Sequence, residues 1–90
     1  MDRKTRASRG KKAKPNNVKR LRIGLGMFQN DLAKAADVSV ASVRGMESMS
    51  RDLSATLRAR LVHALSKESQ ARGQGPLTAN DVFPNDDVEL

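Results

Sequence analysis

Apolar residues recur along this chain at helical spacing, and no stretch shows the alternation that is typical of a strand. Val18, Leu21 and Leu25 are three and four positions apart, and comparable spacing recurs within residues 29–36, 40–48 and 53–65. Glycines, prolines or capping residues separate these stretches. The sequence therefore predicts an all-α domain of five helices over residues 16–84.

Capping and terminating residues set the predicted limits of these helices. Asn16 or Asn17 caps helix 1, and Gly26 terminates it. The other four predicted helices run from Gln29 to Ala36, from Val40 to Ser48 after the cap Ser39, from Leu53 to at least Leu65 with an extension towards Arg72, and from the cap Thr78 to Pro84. The stretch at 73–76, "GQGP", predicts a linker.

Residues 29–48 have the pattern of two helices joined by a sharp turn. Ala33 is small enough to face a close helix crossing, and Asp37 is one of the few residue types other than glycine that tolerate a positive φ. Val38 then points inward, and Ser39 caps the next helix. With Leu32, Ala36, Val43 and Met46 on the inner faces, this is a helix-turn-helix pattern.

The stretch "VKRLRIGLGMFQNDLAKAADVSVASVRGMES" resembles the Cro/lambda-repressor (Xre-like) helix-turn-helix family. "LSATLRARLVHAL" is similar to the fourth helix of that family and "LTANDVFP" to its closing turn, so the resemblance covers roughly residues 17–84. It implies a compact five-helix lambda-repressor-like DNA-binding domain, with the helix-turn-helix at helices 2 and 3. Residues 1–15 show no hydrophobic periodicity and almost no core-forming side chains, so we expect a disordered basic N-terminal arm there.

The resemblance also implies roles for individual residues. Gln29 would bond a DNA phosphate at the start of helix 2, and Arg22 and Glu47 would form a structural ion pair. The full set of DNA-binding residues that we expect consists of Gln29, Asn30, Ser39, Val40, Ala41, Ser42, Arg44, Gly45, Lys11, Lys12 and Lys14.

The outward positions of helix 3 hold few polar side chains. Val40 and Ala41 cannot make bidentate amide contacts to adenine, which leaves thymine methyl groups, and Arg44 can bond guanine or phosphate. We expect Gly45 to let the backbone lie close to the groove wall. Shape-dependent readout and the basic arm would then contribute more of the specificity.

Two positions and one connection are among the departures from the family pattern. Phe28 stands where the family usually has a Thr, Ser or Asn cap, so helix 2 should lack its side-chain cap. Asp37 stands in place of the usual Gly. The connection "SMSRD" after Glu47 contains no Gly.

Charge favours a polyanionic partner. The chain has 17 Lys and Arg against 10 Asp and Glu, and seven of the basic residues fall within residues 1–14. Segments of this kind bind nucleic acid, because neutralising phosphates releases condensed counterions. An acidic tail follows at residues 85–90.

Other classes of function have little support in the sequence. There is no cysteine and one histidine, His63, which we expect on a helix surface. Gly73 and Gly75 lack the strand and the Lys of a phosphate-binding loop. We therefore expect no enzymatic activity, cofactor, metal, small-molecule ligand or membrane association, and a cytoplasmic location.

The sequence thus predicts a sequence-specific double-stranded DNA-binding transcriptional regulator, either a repressor or a repressor/activator switch. The alternatives are an antitoxin that represses its own operon and an RNA-binding adaptor. We expect a homodimer on an inverted-repeat operator, because one domain of this size offers few base contacts. The candidate interface is the apolar C-terminal group Leu77, Val82 and Phe83, for which the sequence shows no obvious partner within the domain.

Overall fold

The computed structural model describes residues 14–85, and all regular structure within that range is helical. The five helices are α1 (Val18–Gly24), α2 (Gln29–Ala36), α3 (Val40–Glu47), α4 (Ala55–Ala71) and α5 (Ala79–Val82). This confirms the prediction of an all-α domain. Within residues 14–85, every helix is too short or too polar to cross a membrane bilayer.

Two predicted segments lie mostly outside the described residues. Residues 1–13, with Lys11 and Lys12, belong to the predicted basic arm, and residues 86–90 belong to the predicted acidic tail. Lys14 and Pro15 are described and are exposed.

The helix ends follow the predicted capping residues in most cases. The side chains of Ser39 and Thr78 accept hydrogen bonds from backbone N–H groups in the first turns of α3 and α5. Gly26 follows Leu25, the C-cap residue of α1, and has a φ of 73°. The predicted start of α4 at Leu53 is wrong, because Ser54 accepts a hydrogen bond from the Leu57 N–H and so begins the helix at Ala55.

At the start of α1, Asn16 and Asn17 both take part in capping, each in a different way. Asn17 occupies the N-cap position without a side-chain cap, whereas Asn16 Oδ1 accepts a hydrogen bond from the Val18 N–H at 3.0 Å. The Asn16 side-chain amide also donates to the Met46 carbonyl at 3.1 Å, which ties the start of α1 to α3.

The core is mainly aliphatic and draws on all five helices. Its largest fully buried side chains are those of Leu32, Met46, Leu61, Leu65, Val18, Val43 and Val82. Helix α4, with 17 residues, is the longest element and packs mainly against α2. The α2–α3 pair is therefore held from its inner side, which leaves the opposite side available for a partner.

The expectation that Val82 and Phe83 have no partner within the domain is wrong. Both are buried in the chain's own core, with 0% and 5% of their surface exposed, and Leu77 is half-buried against that core. The Val82 carbonyl accepts a hydrogen bond from the Asn17 N–H at 2.9 Å, so α5 closes the core against the start of α1. These side chains therefore complete the monomer and are not an available dimer surface.

A reciprocal pair of hydrogen bonds holds α5 in place. The Thr78 hydroxyl accepts from the Asp81 N–H at 3.2 Å, and the Asp81 carboxylate accepts from the Thr78 N–H at 2.8 Å. Donation from the Thr78 backbone, and secondarily from its side chain, lowers the pKa of Asp81 below its ordinary value. This arrangement is a capping box, which begins a helix of only four residues.

Candidate nucleic-acid interface

Helices α2 and α3 have eight residues each and are joined by a three-residue turn, residues 37–39. Asp37 has φ 58° and ψ 48°, as predicted for the turn. The Val38 N–H donates to the Ala33 carbonyl at 3.0 Å, which brings the turn back onto α2. The Ser39 hydroxyl then accepts from the Ser42 N–H at 3.0 Å and starts α3.

The inner side of the pair matches the predicted pattern. Leu32, Ala36, Val43 and Met46 are buried, and so is Ala33. Val38 is half-buried and packs against the same core. The orientation of both helices is therefore fixed by apolar contacts on one side.

The outer side of the pair forms two adjoining clefts. One is lined by Lys19, Gln29, Arg44, Glu47 and Ser48, and the other by Arg22, Phe28, Gln29, Asn30, Val40 and Arg44. Because Gln29 and Arg44 belong to both, the clefts form one continuous surface, which we call the α2–α3 surface. It brings together four of the predicted DNA-binding residues: Gln29, Asn30, Val40 and Arg44.

A buried ion pair lies at the base of the α2–α3 surface. Arg22 Nε and Nη2 donate to the two carboxylate oxygens of Glu47, and Arg22 Nη1 donates to the Met27 carbonyl at 2.8 Å. Gln29 Nε2 donates to Glu47 Oε1 at 3.0 Å. The predicted Arg22–Glu47 pair is thus present, and Gln29 belongs to the same network, which joins α1, α2 and α3.

Helix α3 exposes less of its predicted outward face than the sequence suggested. Ala41 and Arg44 are exposed, but Val40 is half-buried because it packs against the core. Asn30 and Ser39 are exposed, whereas Ser42 is half-buried beside the Ser39 hydroxyl. Among residues 14–85, Arg44 has no salt-bridge partner, so its guanidinium is available to an anion.

The structure gives Gly45 a packing role that the sequence did not suggest. A Cβ built at Gly45 would lie 3.1 Å from the Cβ of Arg51, so the missing side chain makes room for the connection between α3 and α4. The Gly45 carbonyl accepts from the Ser50 N–H at 3.0 Å. The approach of the Gly45 backbone to a groove wall stays a prediction, and the structure adds that the missing side chain accommodates Arg51.

The end of α3 explains how the connection forms without a glycine after Glu47. Met49 has a φ of 60°, and its N–H donates to the Met46 carbonyl at 3.2 Å. Together with the Ser50–Gly45 bond this is a Schellman motif, in which glycine is the usual residue at the left-handed position. The sequence did not indicate this conformation of Met49, because no local signal distinguishes it from the other residues of the loop.

Three residues of the α2–α3 surface were not among the predicted site residues: Lys19, Phe28 and Ser48. Phe28 is 76% exposed and makes no side-chain cap, as its chemistry requires. The Asp31 carboxylate accepts a hydrogen bond from the Phe28 N–H at 2.8 Å and so stabilises the start of α2. The departure of Phe28 from the family pattern was the only sequence signal for any of the three.

Most acidic side chains of the described range are already paired. Glu47, Asp52, Asp37 and Glu68 form salt bridges with Arg22, Arg58, Arg60 and Arg72. The cations left without a salt bridge within residues 14–85 include Lys19 and Arg44 on the α2–α3 surface. This surface combines unpaired cations, amide donors and the apolar side chains of Phe28 and Val40, so its charge suits an anionic partner.

No protein-family model, curated protein or solved structure matches this chain.

Proposed function

We propose that this protein is a sequence-specific double-stranded DNA-binding transcriptional regulator with a lambda-repressor-like fold. The observation that carries the proposal is the α2–turn–α3 geometry, with Asp37 in the left-handed region and an unpaired Arg44 on the outer face. A short helix held from its inner side and exposed on the other can enter the major groove, and α3 has this arrangement.

Base readout in this proposal depends on α3. Arg44 would donate to guanine O6 and N7, and Ala41 would contact a thymine methyl group. Val40 contributes less than the sequence suggested, because part of its side chain packs against the core. With so few base contacts, DNA shape supplies a share of the specificity.

Phosphate contacts would come from the start of α2 and from flanking cations. The Gln29 side-chain amide has one N–H in addition to the one that Glu47 engages, and the first backbone N–H groups of α2 have no partner inside the helix. Asn30 and Lys14 are exposed, and Lys19 lines the same surface. The basic residues that precede Lys14, including Lys11 and Lys12, would add further phosphate contacts.

The proposal includes a homodimer on an inverted repeat with half-sites about one helical turn apart. Two copies double the base and phosphate contacts without new chemistry. Since Val82 and Phe83 are buried, the contact between protomers must use another surface. Sedimentation of the protein with a complete operator should give two protomers per duplex, and one protomer would contradict the dimer.

Footprinting on DNA upstream of the protein's own gene tests the proposed function directly. We expect a protected region containing an inverted repeat, and protection that survives competition by random duplex. Structured RNA, added as competitor at the same salt concentration, should displace the protein poorly. Stronger displacement by RNA than by operator duplex would favour the RNA-binding alternative.

Arg44→Ala tests whether this side chain bonds a base. We expect specific binding to weaken by about 1–3 kcal/mol, with little change on random duplex. Lys67→Ala is the charge-matched control, since Lys67 is exposed on α4 and lines a different cleft. An equal loss on specific and random DNA would assign Arg44 to a phosphate.

A further inference from the structure

Phe28 is an exposed aromatic side chain that the start of α2 does not need. The chain has two aromatic residues, of which Phe83 is 5% exposed and Phe28 is 76% exposed. The Phe28 backbone is held by the Asp31 carboxylate on one side and by the Leu32 N–H, which donates to the Phe28 carbonyl at 3.1 Å, on the other. The helix start therefore depends on the backbone of this residue and on Asp31, and the ring takes no part.

The ring also costs stability in the free protein. A Ser or Thr at the N-cap would accept a hydrogen bond from the first turn, whereas Phe leaves that group to water. An exposed ring also keeps a large apolar area in contact with solvent. Both effects are offset if the ring contacts an apolar group of a partner.

The position of the ring indicates which partner that is. Phe28 lines the same cleft as Gln29, Asn30, Val40 and Arg44, so the ring borders a cleft that is also lined by the starts of α2 and α3. Arg44 supplies an unpaired positive charge to this cleft. The carboxylate of Asp31 is engaged by the Phe28 N–H. The charge of the cleft suits a polyanion, and its apolar element suits a group on the edge of a base.

We infer that Phe28 is a specificity-determining residue whose ring contacts the C5-methyl group of a thymine in the major groove. The inference rests on the proposed function and adds to it. In the major groove the thymine methyl is the apolar group of the base-pair edges, and contact with Phe is one of the ways in which proteins recognise it. A helix-capping residue is usual at this position, and in this chain Phe28 would contact a base instead of capping the helix.

Removing single methyl groups from the DNA tests this inference. The probe is the tightest-binding duplex selected by the full-length chain from a library of random duplexes. Each thymine is replaced in turn by uracil, which lacks only the C5-methyl group. We expect wild-type protein to lose roughly three- to tenfold in affinity at one thymine per half-site, as the burial of one methyl group predicts. Phe28→Ser and Phe28→Ala should bind the thymine and uracil duplexes equally at that position.

Ile23→Ser is the matched control. Ile23 is 57% exposed on α1 and does not line either cleft of the α2–α3 surface. This variant should keep the wild-type dependence on the thymine methyl. Thermal unfolding verifies that each variant folds, and Phe28→Ser should be at least as stable as wild type because serine restores the cap.

The outcomes separate this inference from the proposed function. If wild-type protein selects no sequence from the library, both are overturned. If it binds a specific duplex, but no thymine depends on Phe28, only the role of Phe28 is overturned. A uniform loss of affinity by Phe28→Ser on every duplex, or a change in its oligomeric state, would assign the ring to the DNA backbone or to a protein contact and would equally overturn it.

Discussion

Asp37 adopts a left-handed backbone conformation in the turn between α2 and α3. The side chain is 94% exposed, and its carboxylate lies 3.9 Å from the Arg60 guanidinium, which also donates to the Asp37 carbonyl at 3.1 Å. An exposed ion pair of this length contributes little to stability. The requirement at this position is therefore the backbone conformation, and the charge is secondary.

Substitutions at Asp37 should follow this order of requirements. We expect Asp37→Gly to be neutral or stabilising, and Asp37→Val to lower the free energy of unfolding by about 1–2 kcal/mol, because a β-branched residue is strained at positive φ. Urea denaturation measures both. Asp37→Asn, which keeps the tolerance of positive φ and removes the charge, should stay near wild type. A large loss in Asp37→Asn would show that the ion pair matters more than the backbone.

The Arg22–Glu47 pair connects three helices. It joins α1 to α3, and Glu47 also accepts a hydrogen bond from Gln29 of α2. The Glu47 side chain is 3% exposed and that of Arg22 is 11% exposed. Removing one partner of a buried ion pair leaves the other charge buried without a counter-charge. The resulting loss in the free energy of unfolding is larger than the net contribution of the intact pair.

We therefore expect Glu47→Gln to lower the free energy of unfolding by about 3 kcal/mol. The double variant Arg22→Met with Glu47→Leu should recover much of that loss, since it removes both charges together. Glu68→Gln is the matched control, because Glu68 forms a partly exposed pair with Arg72, the residue that follows the last turn of α4, and it should change stability by less than about 1 kcal/mol. Equal effects of the two Glu→Gln substitutions would contradict the structural role of Glu47.

The end of α3 has a residue in a conformation that glycine adopts more easily. Met49 has a φ of 60° and is 37% exposed, so a partly exposed side chain stands in a conformation that is strained for residues with a Cβ. We expect Met49→Gly to raise the free energy of unfolding by about 1 kcal/mol. Met49→Ala keeps the Cβ and should bring no such gain, and equal stabilities for the two variants in urea denaturation would contradict this account.

At the scale of the whole molecule, charge is distributed unevenly along the chain. Residues 1–13 hold six of the 17 basic residues, and residues 86–90 hold three acidic residues without a basic one. In the proposed complex the N-terminal segment contacts phosphates, and the acidic C-terminal segment lies away from the duplex.

Deleting residues 2–13 should therefore reduce the salt dependence of DNA binding. Each phosphate contact contributes about 0.9 to the slope of log K against log salt, so the slope should flatten by up to about 5 if all six basic residues touch phosphate. Binding isotherms over a range of salt concentrations measure this slope. Deleting residues 86–90 is the control and should leave the slope unchanged. An unchanged slope in the N-terminal deletion would exclude the segment from binding.

The sequence by itself determined the helical elements and the turn of the α2–α3 pair. Helical spacing identified the buried faces, and local side-chain chemistry identified Ser39, Thr78 and Gly26 as helix ends, because a cap or a left-handed glycine acts within a few residues of its position. The left-handed conformation of Asp37 followed from the same local reasoning.

Only the tertiary structure decided which of the residues that the sequence predicted to be exposed are in fact packed against other parts of the chain. Val82 and Phe83 are buried because α5 folds back onto the start of α1, and the side of Gly45 where a Cβ would lie is occupied by Arg51. These contacts join residues far apart in the chain or depend on the path of a loop, so local spacing contains no signal for them. The same reason applies to the α2–α3 surface: Lys19 and Phe28 join Arg44 there only because α1, α2 and α3 pack around one buried ion pair.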